Sequence, residues 1–80
     1  MVYFELRKRN GDTVTYDYMP EKESADRGVV SLNLVTGKRE TVRKSTDDRG
    51  FNYAEHALRA IGENFSASGS IDKKGWAAWY

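Results

Sequence analysis

The chain contains no cysteine. That removes a disulfide framework, thiolate catalysis and every Cys-based zinc site. A single histidine, His56, leaves no His-rich metal site. One Pro and seven Gly in 80 residues exclude collagen-like and Pro-rich linker classes. No apolar run approaches the ~20 residues a membrane helix needs. The first strand pattern begins at Val2, with no signal-peptide layout before it. Together these point to a soluble, cytoplasmic protein without a membrane partner. An excess of one charge is missing too. Thirteen Lys+Arg against twelve Asp+Glu leave a net charge of +1, which neither calls for nor forbids nucleic acid.

What remains is a folding composition, 39% hydrophobic and 31% charged, on a chain the size of one small domain, residues 1–80. A domain this small buries only about 60% of the surface its unfolded chain exposes. Five Tyr, three Phe and two Trp supply the large side chains such a core needs.

Alternation marks the strands. From Val2 to Lys8, Phe4 and Leu6 fall on one side and Tyr3, Glu5 and Arg7 on the other; Val14, Tyr16 and Tyr18 alternate after Asn10-Gly11. A two-residue Asn10-Gly11 loop would set Leu6 opposite Thr15 and Phe4 opposite Asp17, mixing charge into the apolar face. A three-residue Arg9-Asn10-Gly11 loop, with Gly11 left-handed in a bulge, instead pairs Leu6 with Val14, Phe4 with Tyr16 and Lys8 with Asp12. The parity of the faces therefore predicts a bulge. Met19-Pro20 ends the second strand, and Glu21 to Arg27 is a polar connector. Val30, Leu32 and Leu34 form the next apolar face. A bulged Val35-Thr36-Gly37 loop would place Val42 opposite Val30.

One helix follows. Phe51, Ala54, Leu58, Ile61 and Phe65 recur at helical spacing, with Ala57 beside them. Asp47 and Asp48 lie upstream, where acidic residues cap and favour a helix N-terminus. Glu55 and Arg59 stand as an i,i+4 pair. The Ser66-to-Ser70 stretch breaks the pattern and gives a helix of three to four turns. Gly75 to Tyr80 reads as a last strand with Trp76 and Trp79 on opposite faces. The predicted fold is α+β: two β-hairpins, one helix and a C-terminal strand, β-β-β-β-α-β, with the helix on one face of an antiparallel sheet. The other face would carry Tyr3, Glu5, Arg7, Thr13, Thr15, Ser31, Asn33, Thr41 and Arg43 plus one Trp, a mostly polar open face.

Tyr53-Ala54-x-His56-Ala57 in the helix and Gly75-x-Ala77-Ala78-Trp79-Tyr80 at the C-terminus resemble motifs of small bacterial proteins with no assigned activity. The opening Val2-Tyr3-Phe4-Glu5, Met19-Pro20 and Gly28-Val29-Val30 stand where those proteins carry similar features. The resemblance implies a bacterial α+β domain, brings no activity with it, and draws attention to Tyr53, His56, Trp79 and Tyr80.

Little in the sequence builds an active site. No Ser or Thr stands in a nucleophile-elbow motif, and no phosphate-cradling glycine loop or calcium-binding spacing occurs. Asp47-Asp48 could offer oxygen ligands to Mg²⁺, but neighbouring side chains point apart and a helix cap accounts for at least one of them. His56 lies on the helix side away from the predicted core, with Tyr53 within reach at i−3. No catalytic residue, metal ligand or cofactor is expected. The favoured reading is a non-catalytic accessory or protein-interaction module, binding a partner or a second copy of itself. Its candidate contacts are Tyr3, Arg7, Arg43, Tyr53, His56, Trp76 and Trp79, residue types that interfaces favour. The alternative is nucleic-acid binding through the basic hairpins, with Arg7, Arg9, Arg39, Arg43 and Lys44 beside aromatic residues.

Overall fold

The computed structural model describes residues 2–20, 26–46, 48 and 52–77. Along the chain run β1 (Val2–Asn10), β2 (Thr13–Met19), β3 (Gly28–Asn33), β4 (Arg39–Arg43), α1 (Asn52–Ser68) and β5 (Lys74–Ala77). The strands form one antiparallel sheet in the order β4-β3-β2-β1-β5, with α1 packed against it. This is the β-β-β-β-α-β arrangement that the periodicity predicts. Phe51 at the expected helix start, Asp47 as a possible cap, and Ala78, Trp79 and Tyr80 of the last strand lie outside the described residues.

The core sits between α1 and one face of the sheet. Val2 and Phe4 come from β1, Val14, Tyr16 and Tyr18 from β2, and Val30 and Leu32 from β3. Ala54, Ala57, Leu58 and Ile61 meet them from the helix. Strand residues enter at a period of two and helix residues three or four apart, so each element buries one side. Phe4 and Tyr16 meet edge to face, ring centroids 5.7 Å apart, a geometry that adds about 0.5–1.5 kcal/mol to area burial.

The predicted apolar faces of the first hairpin hold, but its pairs shift, by two residues for Leu6 and Phe4 and by three for Lys8. Leu6 opposes Tyr16 and Phe4 opposes Tyr18, while Lys8 opposes Thr15 and not Asp12. The turn is Gly11-Asp12, flanked by the Asn10–Thr13 pair, with Gly11 left-handed at φ 61°. Continued without a bulge, that turn would set Leu6 opposite Asp17. One extra residue, Arg7, interrupts β1 and restores the apolar parity. The bulge that the faces require is real, but it lies inside the strand.

The second hairpin departs further. Val30 opposes Thr41, Val29 opposes Arg43, and Val42 is the extra residue. Thr41 therefore shares the helix side with Val30, not the open face, and Val42 turns outward, 56% exposed. The cause is the turn. Asn33 Oδ1 accepts the N–H groups of Val35 and Thr36, both at 2.9 Å, and Asn33 N donates to Lys38 O at 2.9 Å. The loop is thereby Leu34 to Gly37, one residue longer than predicted, an example of a side chain competing for backbone partners.

Helix α1 is also longer than expected. It runs 17 residues through Ser66 and Ala67 to Ser68, where Gly69 stops it in the left-handed region at φ 73° and donates to Phe65 O. Glu55 does not pair with Arg59. It reaches across to Arg39 on β4 at 3.6 Å, and Arg59 pairs with Glu63 at 2.9 Å.

Asp48 fastens the helix to the sheet. Its Oδ1 accepts Tyr53 N at 3.3 Å and its Oδ2 accepts Ala54 N at 3.1 Å, satisfying N–H groups the first turn leaves open. Tyr18 Oη donates to the same Oδ2 at 2.8 Å and accepts Ser45 N at 3.0 Å. Burial first, and the Asp48 carboxylate after it, push the Tyr18 phenol well above its ordinary range, against the opposing effect of Ser45 N–H. Gly28 lies opposite Tyr18, and a Cβ there would collide with the tyrosine ring.

Candidate interaction surface on the open sheet face

β5 pairs with β1, and that single choice of neighbour assembles the surface. Trp76 stands opposite Tyr3 and Lys74 opposite Glu5, all on the face α1 does not cover. Trp76 is 57% exposed. With Tyr3, Met19, Glu5 and Lys74 it lines a hollow of about 430 Å³. Gly75, between the two outward side chains, points to the core side and abuts the Phe4 ring. Trp76 faces outward; Trp79, the other candidate tryptophan, lies outside the described residues.

Around this aromatic corner the arginines are occupied. Arg7 pairs with Asp17 at 3.6 Å. Arg27 reaches both Glu5 and Asp17 at 3.4 Å, bridging two carboxylates that sit directly opposite each other on β1 and β2. Arg43 donates to Asp26 Oδ1 at 2.6 Å and to Arg27 O at 2.7 Å. Asp26 is held below the usual carboxylate range, first by the backbone N–H of Thr46, then by the Thr46 side chain and the Arg43 guanidinium. Toward β4, Arg7, Lys8, Thr13, Thr15, Val29 and Val42 border a second shallow depression of about 460 Å³.

The entry into β5 is held from beneath. Tyr16 Oη donates to Asp72 O at 2.5 Å, and Leu6 N donates to Lys73 O at 2.6 Å. Burial first, and the charge of Asp72 second, push the Tyr16 phenol up to about 12. Trp76 thus projects from a strand anchored by core residues.

The candidates divide between two sides of the molecule. Tyr3, Arg7, Arg43 and Trp76 share the open face, with Tyr3 and Trp76 in register. Tyr53 and His56 are half-buried on α1, Tyr53 packed against the core cluster. A further concavity, about 780 Å³, lies on the helix side between α1 and the β3–β4 turn, lined by Leu32, Leu34, Arg39, Gly62 and Phe65 among others. Of the sequence candidates, Arg39, named for the nucleic-acid alternative, borders it; the protein-interaction candidates among the described residues do not. Met19 and Lys74 complete the aromatic corner although sequence reasoning did not nominate them. Lys74 was within reach, two residues before Trp76 on one strand face; Met19 required knowledge that it opposes Tyr3.

No helix among the described residues is long and apolar enough to cross a membrane. A search of protein-family models, of curated proteins and of solved structures returned no match to this chain.

Proposed function

We propose that this chain is a non-catalytic interaction module that binds another protein through the open face around Trp76 and Tyr3. One observation carries the reading: a tryptophan 57% exposed, in register beside a tyrosine, on the sheet face that α1 does not cover. Exposed aromatics of this kind are the side chains that dominate binding energy at protein interfaces. The nucleic-acid alternative draws less support from the same face. Arg7, Arg27 and Arg43 are each engaged with a carboxylate, so a phosphate would have to compete with Asp17, Glu5 or Asp26.

The test is an unbiased selection from a displayed peptide library, followed by amide mapping of bound ligands on the full chain. Selected ligands should shift resonances on the open face. Trp76→Ala should weaken them by roughly thirtyfold, the effect of losing a hot-spot side chain of about 2 kcal/mol. Ligands that map to the helix side, or that bind the variant equally well, defeat the reading. So does tight, steeply salt-dependent oligonucleotide binding in the absence of any peptide ligand.

A further inference from the structure

We infer that the partner is an extended, acidic segment that adds to the free edge of β5 as a further strand. This rests on the open-face reading above and narrows it. Among the described residues the sheet ends at β5, which has β1 as its one strand neighbour. In an antiparallel strand the N–H and C=O of one residue point to the same side, and successive residues alternate. The Leu6 N to Lys73 O bond fixes that alternation: Lys73, Gly75 and Ala77 address β1. Lys74 and Trp76 therefore present their N–H and C=O groups to the free edge, with their side chains on the open face.

The two edges of the sheet differ in kind. β4 carries a bulge at Val42, and both its arginines are ion-paired, Arg39 with Glu55 and Arg43 with Asp26. A bulge of this sort keeps an edge from pairing, and arginines already ion-paired offer an incoming strand no free charge. β5 has a regular register. Lys73 and Lys74 have no ion-pair partner among the described residues, and Glu5, opposite Lys74, is engaged by Arg27. Two uncompensated cations beside a backbone ladder call for carboxylates on the incoming strand. A polynucleotide would satisfy the cations but not the ladder, and a strand-forming peptide satisfies both. Trp76 then covers an apolar side chain of the added strand two residues from the carboxylate that meets Lys74.

The probe is a capped peptide repeating Thr-Glu-Thr-Val, which sets a carboxylate and an isopropyl group two residues apart on one face. It is titrated into the labelled full chain and followed by amide shifts. Its controls are the same repeat with Lys for Glu, the same repeat with alternate backbone nitrogens methylated, and oligothymidylate. The acidic peptide should move the Lys74 and Trp76 amides, and methylation should weaken it about tenfold through lost backbone bonds. The Lys repeat should bind more weakly than the Glu repeat, and the double substitution Lys73→Glu and Lys74→Glu should reverse that order. Equal binding of the methylated peptide overturns the inference. So does tighter binding of oligothymidylate at the same residues, or a shift of those amides with protein concentration alone, which would assign the edge to a second copy. Library ligands that require Trp76 yet ignore backbone methylation would leave the interaction module standing and remove only the strand-addition mode.

Discussion

Replacing Tyr18 by Phe isolates the hydroxyl that joins the sheet to the helix. The ring stays; what leaves is one donor to Asp48 Oδ2 and one acceptor for Ser45 N. Ser45 and Asp48 are each only 1% exposed, so water does not replace the lost bonds without rearrangement. Losing this acceptor costs the buried Ser45 N–H about 1–3 kcal/mol, and Asp48, which keeps two of its three donors, loses one net hydrogen bond of about 1 kcal/mol, which puts the substitution at roughly 2–4 kcal/mol. At about 0.05–0.15 kcal/mol per residue, an 80-residue chain holds roughly 4–12 kcal/mol in total. The hydroxyl thus accounts for a large share of the margin. Equilibrium urea unfolding, followed by circular dichroism and Trp fluorescence, should show a lower midpoint at unchanged slope. The melting temperature should fall by roughly 10–20 °C. Asp48→Asn gives the second arm of a double-mutant cycle. Three donors converge on that carboxylate, so an amide nitrogen must face one of them, and the two substitutions should be strongly non-additive. A loss below about 0.5 kcal/mol in Tyr18→Phe would refute the reasoning, because ring packing alone would then hold the helix start.

Two glycines should answer oppositely to alanine. A Cβ on Gly62 would meet only Leu32 Cδ2, at 3.7 Å, so Gly62→Ala should raise stability by about 0.5–1 kcal/mol in chemical unfolding. A Cβ on Gly28 would strike the Tyr18 ring, and Gly28→Ala should cost about 1–3 kcal/mol or more in the same assay. Alkali should unfold the protein ahead of its exposed chemistry. The Tyr16 phenol lies near 12 in the fold against an ordinary 10. The unfolded chain therefore loses its proton first, and stability falls as pH rises from about 10 to about 12 by up to roughly 3 kcal/mol. Unfolding midpoints across that window should drop in the parent and less so in Tyr16→Phe; a flat profile in the parent contradicts the assigned burial.

The faces of the strands were legible because side-chain alternation survives any slip by two residues. Phe4, Leu6, Val14, Tyr16, Tyr18, Val30 and Leu32 all lie on the side assigned to them. Which residue opposes which was not legible, because Arg7 and Val42 are bulges whose neighbours look like ordinary alternation. Asn33 illustrates why: its side chain lengthens the second turn, and nothing in Asn33-Leu34-Val35-Thr36-Gly37 separates that turn from a bulged one. The helix ran past Ser66 because half-buried Phe65 and the Gly69 stop define its end, whereas the Ser-Ala-Ser stretch carries no apolar signal. The candidate surface depended on topology. Trp76 and Tyr3 are 73 positions apart and meet only because β5 adds beside β1.

That topology separates what holds the fold from what the open face offers. Tyr16, Tyr18 and Asp48 act on the helix side, and Trp76 and Lys74 project from the opposite side of the same sheet. Yet the two sides are joined at β5, since Tyr16 Oη holds Asp72 O and Leu6 N holds Lys73 O immediately before the strand. Substituting Trp76 or Lys74 removes side chains that the core does not use, so the fold should tolerate the change. Tyr16→Phe keeps every open-face side chain but releases the start of β5 from its anchor. An added strand needs its template edge held straight, so Tyr16→Phe should weaken peptide addition without touching the contact residues. A ligand that relied on the Trp76 side chain alone would be indifferent to that loss.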